Sequence, residues 1–280
     1  KAGIYAAGYA EWTLKDTTIT GGTALSVKSG TFVIDGGTYT ANGAYAVPGS
    51  DDGNNAVLTG AALSMTSNKG YANKLDVTIK NGKFVSQNGN AICEGIPNKA
   101  SGGGTVADES YATLKIENGT FEGGSTNGGA VDLTTMKNKA VISGGTFSNS
   151  VSGYVVSGLN YEAVNGGEYT YHGDINSAVA AAGANGEIKN LKEIPAQGSD
   201  HDVILKDGDT VVTTLRTSAA SVDLPTLTKT GYTFKGWKDD AGKVHTGTFT
   251  LPSQAVTDNF YLTAVWSANS YYYYHPTTDT

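Results

Sequence analysis

The chain has 280 residues and a formal net charge of −7, and only 16% of its residues are charged. It contains no run of basic residues, which argues against nucleic acid as a partner. No stretch approaches the ~20 consecutive apolar residues of a membrane-spanning helix, so we expect no membrane insertion. A single cysteine permits no internal disulfide, and stability must therefore come from packing.

A six-residue motif recurs through the first two thirds of the chain. It consists of an apolar residue, a polar residue, an Asn-Gly or Gly-Gly pair, a further polar residue and an aromatic residue. Its copies are Ile34–Tyr39, Ile79–Phe84, Ile116–Phe121, Ile142–Phe147 and Val164–Tyr169. The aromatic residues follow one another at 45, 37, 26 and 22 residues. A period of roughly 20–50 residues predicts stacked structural units.

Each motif is followed by a polar Gly/Asn stretch and a short apolar run. The runs are Ala44–Val47, Ala91–Cys93, Ala130–Leu133 and Tyr154–Val156. Each unit therefore offers two short strands joined by corners where Asn and Gly accept positive φ. Neither strand can bury a face alone, but stacked units build one continuous core. The pattern predicts an all-β fold with a parallel β-helix, and an internal stack of Phe32, Phe84, Phe121 and Phe147.

Residues 1–172 resemble the right-handed parallel β-helix superfamily, in the form common in large bacterial surface proteins. That fold also carries pectin-degrading enzymes, phage tailspikes and adhesins, so the resemblance does not determine an activity. Strands are predicted at Ile4–Ala6, Ala24–Val27 and Thr31–Ile34, and a corner at Thr17–Gly22. A polar loop at 49–56 and an insertion at 97–112 are the predicted contact surfaces, since insertions in stacked folds gather on one face.

The pattern changes at Asp174. An Ala-rich segment, 175–183, has an Asp or Asn cap and ends in Gly, which predicts a short helix that caps the open end of the β-helix. We expect four parts: the β-helix at 1–173, capping helix and linker at 174–201, a small module at 202–267, and a tail or spacer at 268–280. The Tyr271–Tyr274 run in the tail has no assigned role.

The module carries Leu224-Pro225, a Gly-Tyr-x-Phe-x-Gly-Trp block at 231–237 and a closing segment Tyr261–Trp266. It resembles the Listeria–Bacteroides repeat, also called the internalin B-type repeat. The resemblance implies a small β-grasp-like module of secreted and wall-anchored bacterial proteins, here as one copy where the family often has several. Tyr232, Phe234, Trp237 and Trp266 supply enough aromatic area for a small core.

Catalytic residues are not expected. β-Helices of the pectate-lyase type use a basic residue, usually arginine, and the sole arginine, Arg216, lies in the module. Those of the polygalacturonase type need aspartates that converge on one face, whereas Asp51 and Asp52 are adjacent in a loop. The four histidines have no metal-ligand spacing, and Cys93 reads as a buried small hydrophobic residue. We predict no cofactor and no metal site.

Two groups of residues are candidates for ligand binding. Tyr5, Tyr9 and Trp12 could stack on sugar rings, or instead pack the first turn of the fold. Asp51, Asp52 and Asn54 could offer oxygen ligands to calcium, but a plain turn is favoured because Asp, Gly and Asn are turn formers.

These observations predict a non-catalytic, adhesin-like protein of the bacterial cell surface or cell wall. Its expected partner is a glycan or a host surface protein. The chain begins in mid-pattern without methionine, so we expect an excised or mature fragment of an exported protein. Two alternatives remain open: a carbohydrate-active β-helix (polysaccharide lyase-like or glycoside hydrolase-like) or its glycan-binding accessory domain, and a spacer without a ligand.

Overall fold

The computed structural model describes residues 1–46, 59–66, 74–95, 112–124, 128–133, 140–191, 201–252 and 259–270. This part of the protein is all-β, with one α-helix and large mixed and parallel sheets. None of the helical segments in these ranges has the length and apolar character that crossing a bilayer requires.

The first thirteen strands belong to a parallel stack, which we call the stacked region. They are β1 Ala2–Ala6, β2 Glu11–Lys15, β3 Thr18–Gly21, β4 Thr23–Val27, β5 Gly30–Ala41, β6 Leu63–Met65, β7 Leu75–Ser86, β8 Ile92–Glu94, β9 Ala112–Ile116, β10 Thr120–Glu122, β11 Val131–Asp132, β12 Ala140–Ile142 and β13 Thr146–Phe147.

The remaining elements form the C-terminal sheet region. They are a 3₁₀ helix Ser152–Tyr154, β14 Tyr161–Asn165, β15 Glu168–His172, α1 Ile175–Ala182, β16 Glu187–Asn190, β17 His201–Asp207, β18 Thr210–Thr217, β19 Ser221–Asp223, β20 Tyr232–Lys238, β21 Val244–His245, β22 Thr248–Thr250 and β23 Phe260–Ala268.

Two sheets enclose the core of the stacked region. One has five parallel strands in the order β1-β4-β6-β8-β11, and the other pairs β2 and β3 with β5, then β5 with β7, and β7 with β9 and β10. The motif copies pair in register, so Ile34 lies opposite Ile79 and Ile79 opposite Ile116. Like side chains therefore meet turn after turn in one continuous apolar core.

Four rings stack along this core and form what we call the aromatic ladder. Its members are Tyr39, Phe84, Phe121 and Phe147, with successive centroids 4.7, 5.2 and 5.0 Å apart. The prediction that Phe32 belongs to this stack is wrong. Phe32 lies opposite Val77 in the register and stacks on Trp12 instead, because it stands seven residues before the ladder position that Tyr39 fills in the same strand.

The predicted corner at Thr17–Gly22 is also wrong for most of its length. Thr18–Gly21 is strand β3 and pairs in parallel with Thr38–Ala41 of β5. The sequence Thr-Ile-Thr alternates polar and apolar residues and thus has the period of a half-buried strand. The glycine pair after it was the misleading signal.

At the far end of the stack, a hairpin pairs with the last parallel strand of the large sheet, β13. The fifth motif copy, Val164–Tyr169, turns back on itself, and β14 and β15 pair antiparallel. Phe147 of the last parallel strand, β13, is then paired with Tyr169 of β15. The predicted helix is present, with the Asp174 side chain accepting from the Ser177 N–H at 2.9 Å. It packs mainly on β14 and β15, so the hairpin, rather than the helix, covers the edge of β13.

The large sheet continues beyond this hairpin. β14 pairs with β16, β16 with β18, and the order then runs β17, β23, β20 and β21. The predicted boundaries at 173 and 201 thus fall within one hydrogen-bonded sheet. A second core lies beneath it around Trp237, which is fully buried and donates from Nε1 to the Pro225 carbonyl at 2.7 Å.

Candidate binding face

The large sheet of the stacked region carries a polar surface on its outer side. Its inward positions are buried apolar residues, and the alternate positions point outward. Ten of the outward positions are threonines, all of them exposed or partly exposed, and we call this surface the threonine face. Its threonines are Thr13, Thr18, Thr20, Thr31, Thr38, Thr40, Thr78, Thr113, Thr120 and Thr146.

The threonines line up because the turns are in register. One row runs Thr18, Thr38, Lys83, Thr120 and Thr146 through five successive layers. Neighbouring parallel strands lie ~4.8 Å apart, and positions i and i+2 of a strand lie ~6.6 Å apart. β-Branched threonine also suits a pleated strand, where its methyl group packs against its neighbours. The result is a set of aligned threonine rows, interrupted by Val33, Asp76 and Lys83.

Several charged side chains on this face are partnered. Lys83 Nζ lies 2.8 Å from a Glu122 carboxylate oxygen of the next layer, and the Thr113 hydroxyl donates to Asp76 Oδ1 at 2.6 Å. Lys115 pairs with Glu117 at 2.6 Å and, chiefly through that hydrogen bond, lowers the pKa of the glutamate. Exposed pairs of this kind are screened by solvent and contribute little to stability. Threonine is the most frequent residue among the outward positions, beside these charged pairs and a few valines.

The aromatic site candidates do not share one face. Tyr5 is 39% exposed and points outward from the five-stranded sheet, with the Lys28 ammonium 5.9 Å from its ring centroid. Tyr9 is 66% exposed in the connection between β1 and β2. Trp12 lies in the inward row of the other sheet, parallel to Phe32 within 6° at 5.9 Å. The structure therefore places Trp12 at the end of the core rather than on a sugar platform with Tyr5.

The acidic candidates Asp51, Asp52 and Asn54 lie outside the described residues, together with the loop at 49–56. Of the insertion at 97–112, only Ala112 is described, as the first residue of β9. Within the described ranges, no group of three or more His, Cys, Asp or Glu side chains is arranged to hold a metal ion.

The pKa shifts of three other titratable residues, Cys93, Asp239 and His172, are explained by burial or by a contact with a neighbouring side chain. Burial raises the pKa of the Cys93 thiol to about 12, so its sulfur is protonated at neutral pH. His245 Nε2 lies 2.7 Å from Asp239 Oδ2, and this contact lowers the pKa of the aspartate. Burial lowers the pKa of His172, which contacts the Thr170 hydroxyl at 2.9 Å.

One buried carboxylate lies at the seam between the two regions. Glu162 is 4% exposed and accepts hydrogen bonds from the hydroxyls of Tyr171, at 2.7 Å, and Ser150. The Tyr171 hydroxyl also accepts from the Val151 N–H at 2.6 Å. Burial and the neighbouring carboxylate raise the pKa of Tyr171, so it stays a donor. The cluster joins β14 and β15 to the segment after β13, and we assign it to structure.

The threonine face was not anticipated from the sequence. The available signal was a Thr-x-Thr pattern at 18–20 and again at 38–40, each around a buried residue. Comparison with protein-family models, with curated proteins and with solved structures found no match for the chain.

Proposed function

We propose that this chain is a non-catalytic, adhesin-like part of an exported bacterial cell-surface protein, and that the threonine face is its contact surface for a glycan or a host protein. In this proposal the stacked region is a right-handed parallel β-helix, and residues 202–267 are an internalin B-type module. The β-helix acts as a rigid body that holds the face away from the cell wall.

The aligned rows of threonines are the observation that carries the proposal. Each hydroxyl both donates and accepts hydrogen bonds, and each methyl group offers a small apolar contact. Such a surface matches the alternating hydroxyl and C–H groups of a polysaccharide. The strands hold these side chains in place before binding, so little conformational entropy is lost on contact.

The arrangement of the acids favours binding over cleavage. Hydrolysis of a glycosidic bond uses two carboxyl groups that flank the bond. On the threonine face the carboxylates of Asp76 and Glu122 stand in different strand segments, and each contacts a side chain of its own, while Glu11 lies in a third strand, β2. The Thr113–Asp76 and Lys83–Glu122 contacts are ordinary neighbours along a polar sheet.

The test is to incubate the purified chain with plant, mucosal and bacterial polysaccharides and with host surface proteins, and to measure retention and the appearance of new chain ends separately. We expect retention without new ends. The double variant Thr38→Arg/Thr120→Arg places bulk and charge on the face. It should weaken retention by about tenfold or more, which corresponds to ~1.4 kcal/mol.

The matched control is Thr248→Arg/Thr250→Arg, which adds the same charge to exposed positions of β22 in the C-terminal sheet region. It should bind as the unmodified chain does. New reducing or unsaturated ends would replace the proposal with the carbohydrate-active alternative. Equal loss in both double variants would mean that charge, rather than the threonine face, governs retention.

A further inference from the structure

Asn-Gly pairs recur along the chain, mostly at the corners of the stacked region. Those within the described ranges begin at Asn42, Asn81, Asn88, Asn118, Asn165 and Asn185. Asparagine is one of the chemically labile residues of proteins. It is most labile before glycine, because glycine has no side chain to keep its backbone nitrogen away from the asparagine amide. These pairs differ in what holds their reacting atoms.

In the pair Asn81-Gly82, the two reacting groups contact each other. The Gly82 N–H donates to the side-chain oxygen of Asn81, Oδ1, at 2.9 Å. Oδ1 is bonded to Cγ, so this hydrogen bond holds the Gly82 nitrogen beside the carbon that it can attack. Asn81 is exposed, and water therefore reaches its amide. Within the described ranges, no other Asn-Gly pair has this contact between the side chain and the following N–H.

The pair Asn88-Gly89 is the matched comparison, because Asn88 is also exposed. Both of its reacting groups are held by other partners. The Asn88 Nδ2 donates to the Gly43 carbonyl at 2.9 Å, and the Gly89 N–H donates to the Ser86 hydroxyl at 2.8 Å. Pre-positioning of reacting atoms accelerates a ring closure, and holding them apart slows it. The two pairs should therefore age at different rates.

We propose that Asn81 is a site of spontaneous deamidation. The Gly82 nitrogen loses its proton and attacks Asn81 Cγ, so that an N–Cγ bond forms. The Cγ–Nδ2 bond breaks, and the side-chain amide nitrogen takes up the proton and leaves as ammonia. Water then opens the cyclic succinimide at either of its two carbonyls. One opening gives aspartate, and the other gives isoaspartate, whose main chain runs through the side-chain carbons.

Both products disturb the strand that carries part of the aromatic ladder. Asn81 lies in β7 opposite Asp35 of β5, so a carboxylate at position 81 faces a like charge. Isoaspartate also lengthens the main chain just before Gly82. An added Cβ at Gly82 would lie 3.2 Å from the Phe84 ring and 3.5 Å from the Tyr39 ring, which shows how closely the layers meet there. The aged chain should unfold at a lower urea concentration.

The test compares the folded chain with a synthetic peptide of residues 75–90, which contains both Asn81-Gly82 and Asn88-Gly89. Both are incubated in mildly alkaline buffer made with heavy-oxygen water, and the chain is kept folded as judged by circular dichroism. Peptide mapping by mass spectrometry then measures the label at each position, and chromatography against standards separates isoaspartate from aspartate. Only conversion during the incubation introduces the label.

The two asparagines should react at similar rates in the free peptide, where neither is held. In the folded chain, Asn81 should react at least about tenfold faster than Asn88 and should give both isoaspartate and aspartate. The ratio of the two rates within one molecule isolates the effect of the fold, since both asparagines precede glycine and share the same buffer and temperature.

The matched protein variants are Asn81→Gln and Asn81→Asp. Glutamine keeps the amide but needs a larger ring, so the urea midpoint of Asn81→Gln should stay constant while that of the unmodified chain falls during incubation. Freshly prepared Asn81→Asp carries the new charge on an ordinary main chain. Its midpoint should lie between those of the fresh chain and of a fraction enriched in isoaspartate.

The proposal fails if the folded chain takes up no label at position 81 under conditions in which the peptide has reacted. Equal rates for Asn81 and Asn88 in the folded chain would also overturn it, because the Asn-Gly sequence alone would then govern the reaction. Aspartate without isoaspartate at position 81 would indicate direct hydrolysis of the amide instead of ring closure by the Gly82 nitrogen.

Discussion

The aromatic side chains pack in one way in the stacked region and in another in the C-terminal sheet region. Neighbouring rings of the aromatic ladder lie within 16° of parallel. In the C-terminal sheet region, Phe234 meets Trp237 at 71° and Trp266 at 65°. Both arrangements suit the charge distribution of aromatic rings, which favours offset-stacked and edge-to-face pairs.

The difference follows from the strand register. Parallel strands in register set equivalent residues side by side, so the rings stay nearly parallel from one layer to the next. The C-terminal sheet region mixes parallel and antiparallel pairs and contains bulges, as between Phe234 and Gly236. Each ring there meets a different neighbour. Single substitutions should therefore act through different causes in the two regions.

The largest expected effect is on the aromatic ladder. Phe121 is fully buried between Phe84 and Phe147. Phe121→Ala leaves a cavity between two rings and should lower the free energy of unfolding by ~3–5 kcal/mol in urea denaturation. The control Thr120→Ala, on the threonine face, should cost less than ~0.5 kcal/mol. A loss below ~1 kcal/mol for Phe121→Ala would mean that the rings do not form a packed column.

The second-largest effect on stability is expected at the motif glycines that precede the ladder rings. Gly119 has φ +131°, and an added Cβ would lie 2.7 Å from the Gly82 carbonyl oxygen and 3.1 Å from the Phe121 ring. Gly119→Ala should destabilise the chain by ~2–3 kcal/mol, through backbone strain and the loss of close layer contact.

Gly208→Ala is the matched control. Its φ is also positive, at +61°, but nothing lies within 4 Å of the added Cβ. It should cost ~1 kcal/mol, since only the backbone preference is affected. Equal costs for the two glycines in urea denaturation would show that close approach between layers contributes nothing.

A smaller effect is expected at the seam between the two regions. Tyr171→Phe leaves the Val151 N–H without its acceptor and removes one donor to Glu162. We expect a loss of ~1–2 kcal/mol. Tyr169→Phe, whose hydroxyl makes no hydrogen bond within the described structure, should be close to neutral. If the two variants melt alike, the buried cluster does not hold the hairpin to the stack.

The smallest effect concerns pH at the same seam. Burial lowers the pKa of His172 below its ordinary value, against the attraction of Asp174. The unfolded chain therefore takes up a proton more readily than the folded chain. The contribution of His172 to stability is complete above its pKa in the unfolded chain, ~6.5. It is lost as the pH falls from that value towards the lower pKa of the folded chain.

This can be measured with His172→Gln. The urea concentration at the unfolding midpoint should decrease from about pH 8 to about pH 5. This decrease should be larger for the unmodified chain than for the variant. The lowered pKa of Asp174 acts below its ordinary value of 3.8 and so outside this window. An equal fall in both proteins would remove His172 as a source of pH dependence.

Much of the stacked region could be predicted from the sequence because the same six-residue motif recurs along it. The motif predicted all-β structure, and the spacing of Phe84, Phe121 and Phe147 predicted a column of rings. The position of Phe32 could not be inferred in this way, since two aromatic residues of one strand compete for the ladder and only the register decides between them. Helix α1 was predictable because the Asp174 cap, the alanines and the closing glycine all agree.

The fifth motif copy shows a feature that the local sequence could not predict. Gly144-Gly145 continues a parallel layer, whereas Gly166-Gly167 closes a hairpin, although the local sequences are alike. At the hairpin both glycines have positive φ, +59° and +85°, as a tight two-residue turn requires. Gly145 has φ +116°, and its Cβ position lies beside the Phe121 and Phe147 rings. The partner layer, which the local sequence does not encode, selects between the two conformations.

The most direct test of the account is a disulfide between layers, because the threonine face exists only if the layers are in register. Thr120 and Thr146 are paired in the structure, and neighbouring parallel strands lie within the 4.4–6.8 Å Cα separation that a disulfide needs. In a Cys93→Ala background, Thr120→Cys/Thr146→Cys should cross-link on mild oxidation. The pair Thr120→Cys/Ser148→Cys, shifted by two residues, should remain reduced. Cross-linking of the shifted pair in preference to the registered one would contradict the stacking, and with it the threonine face.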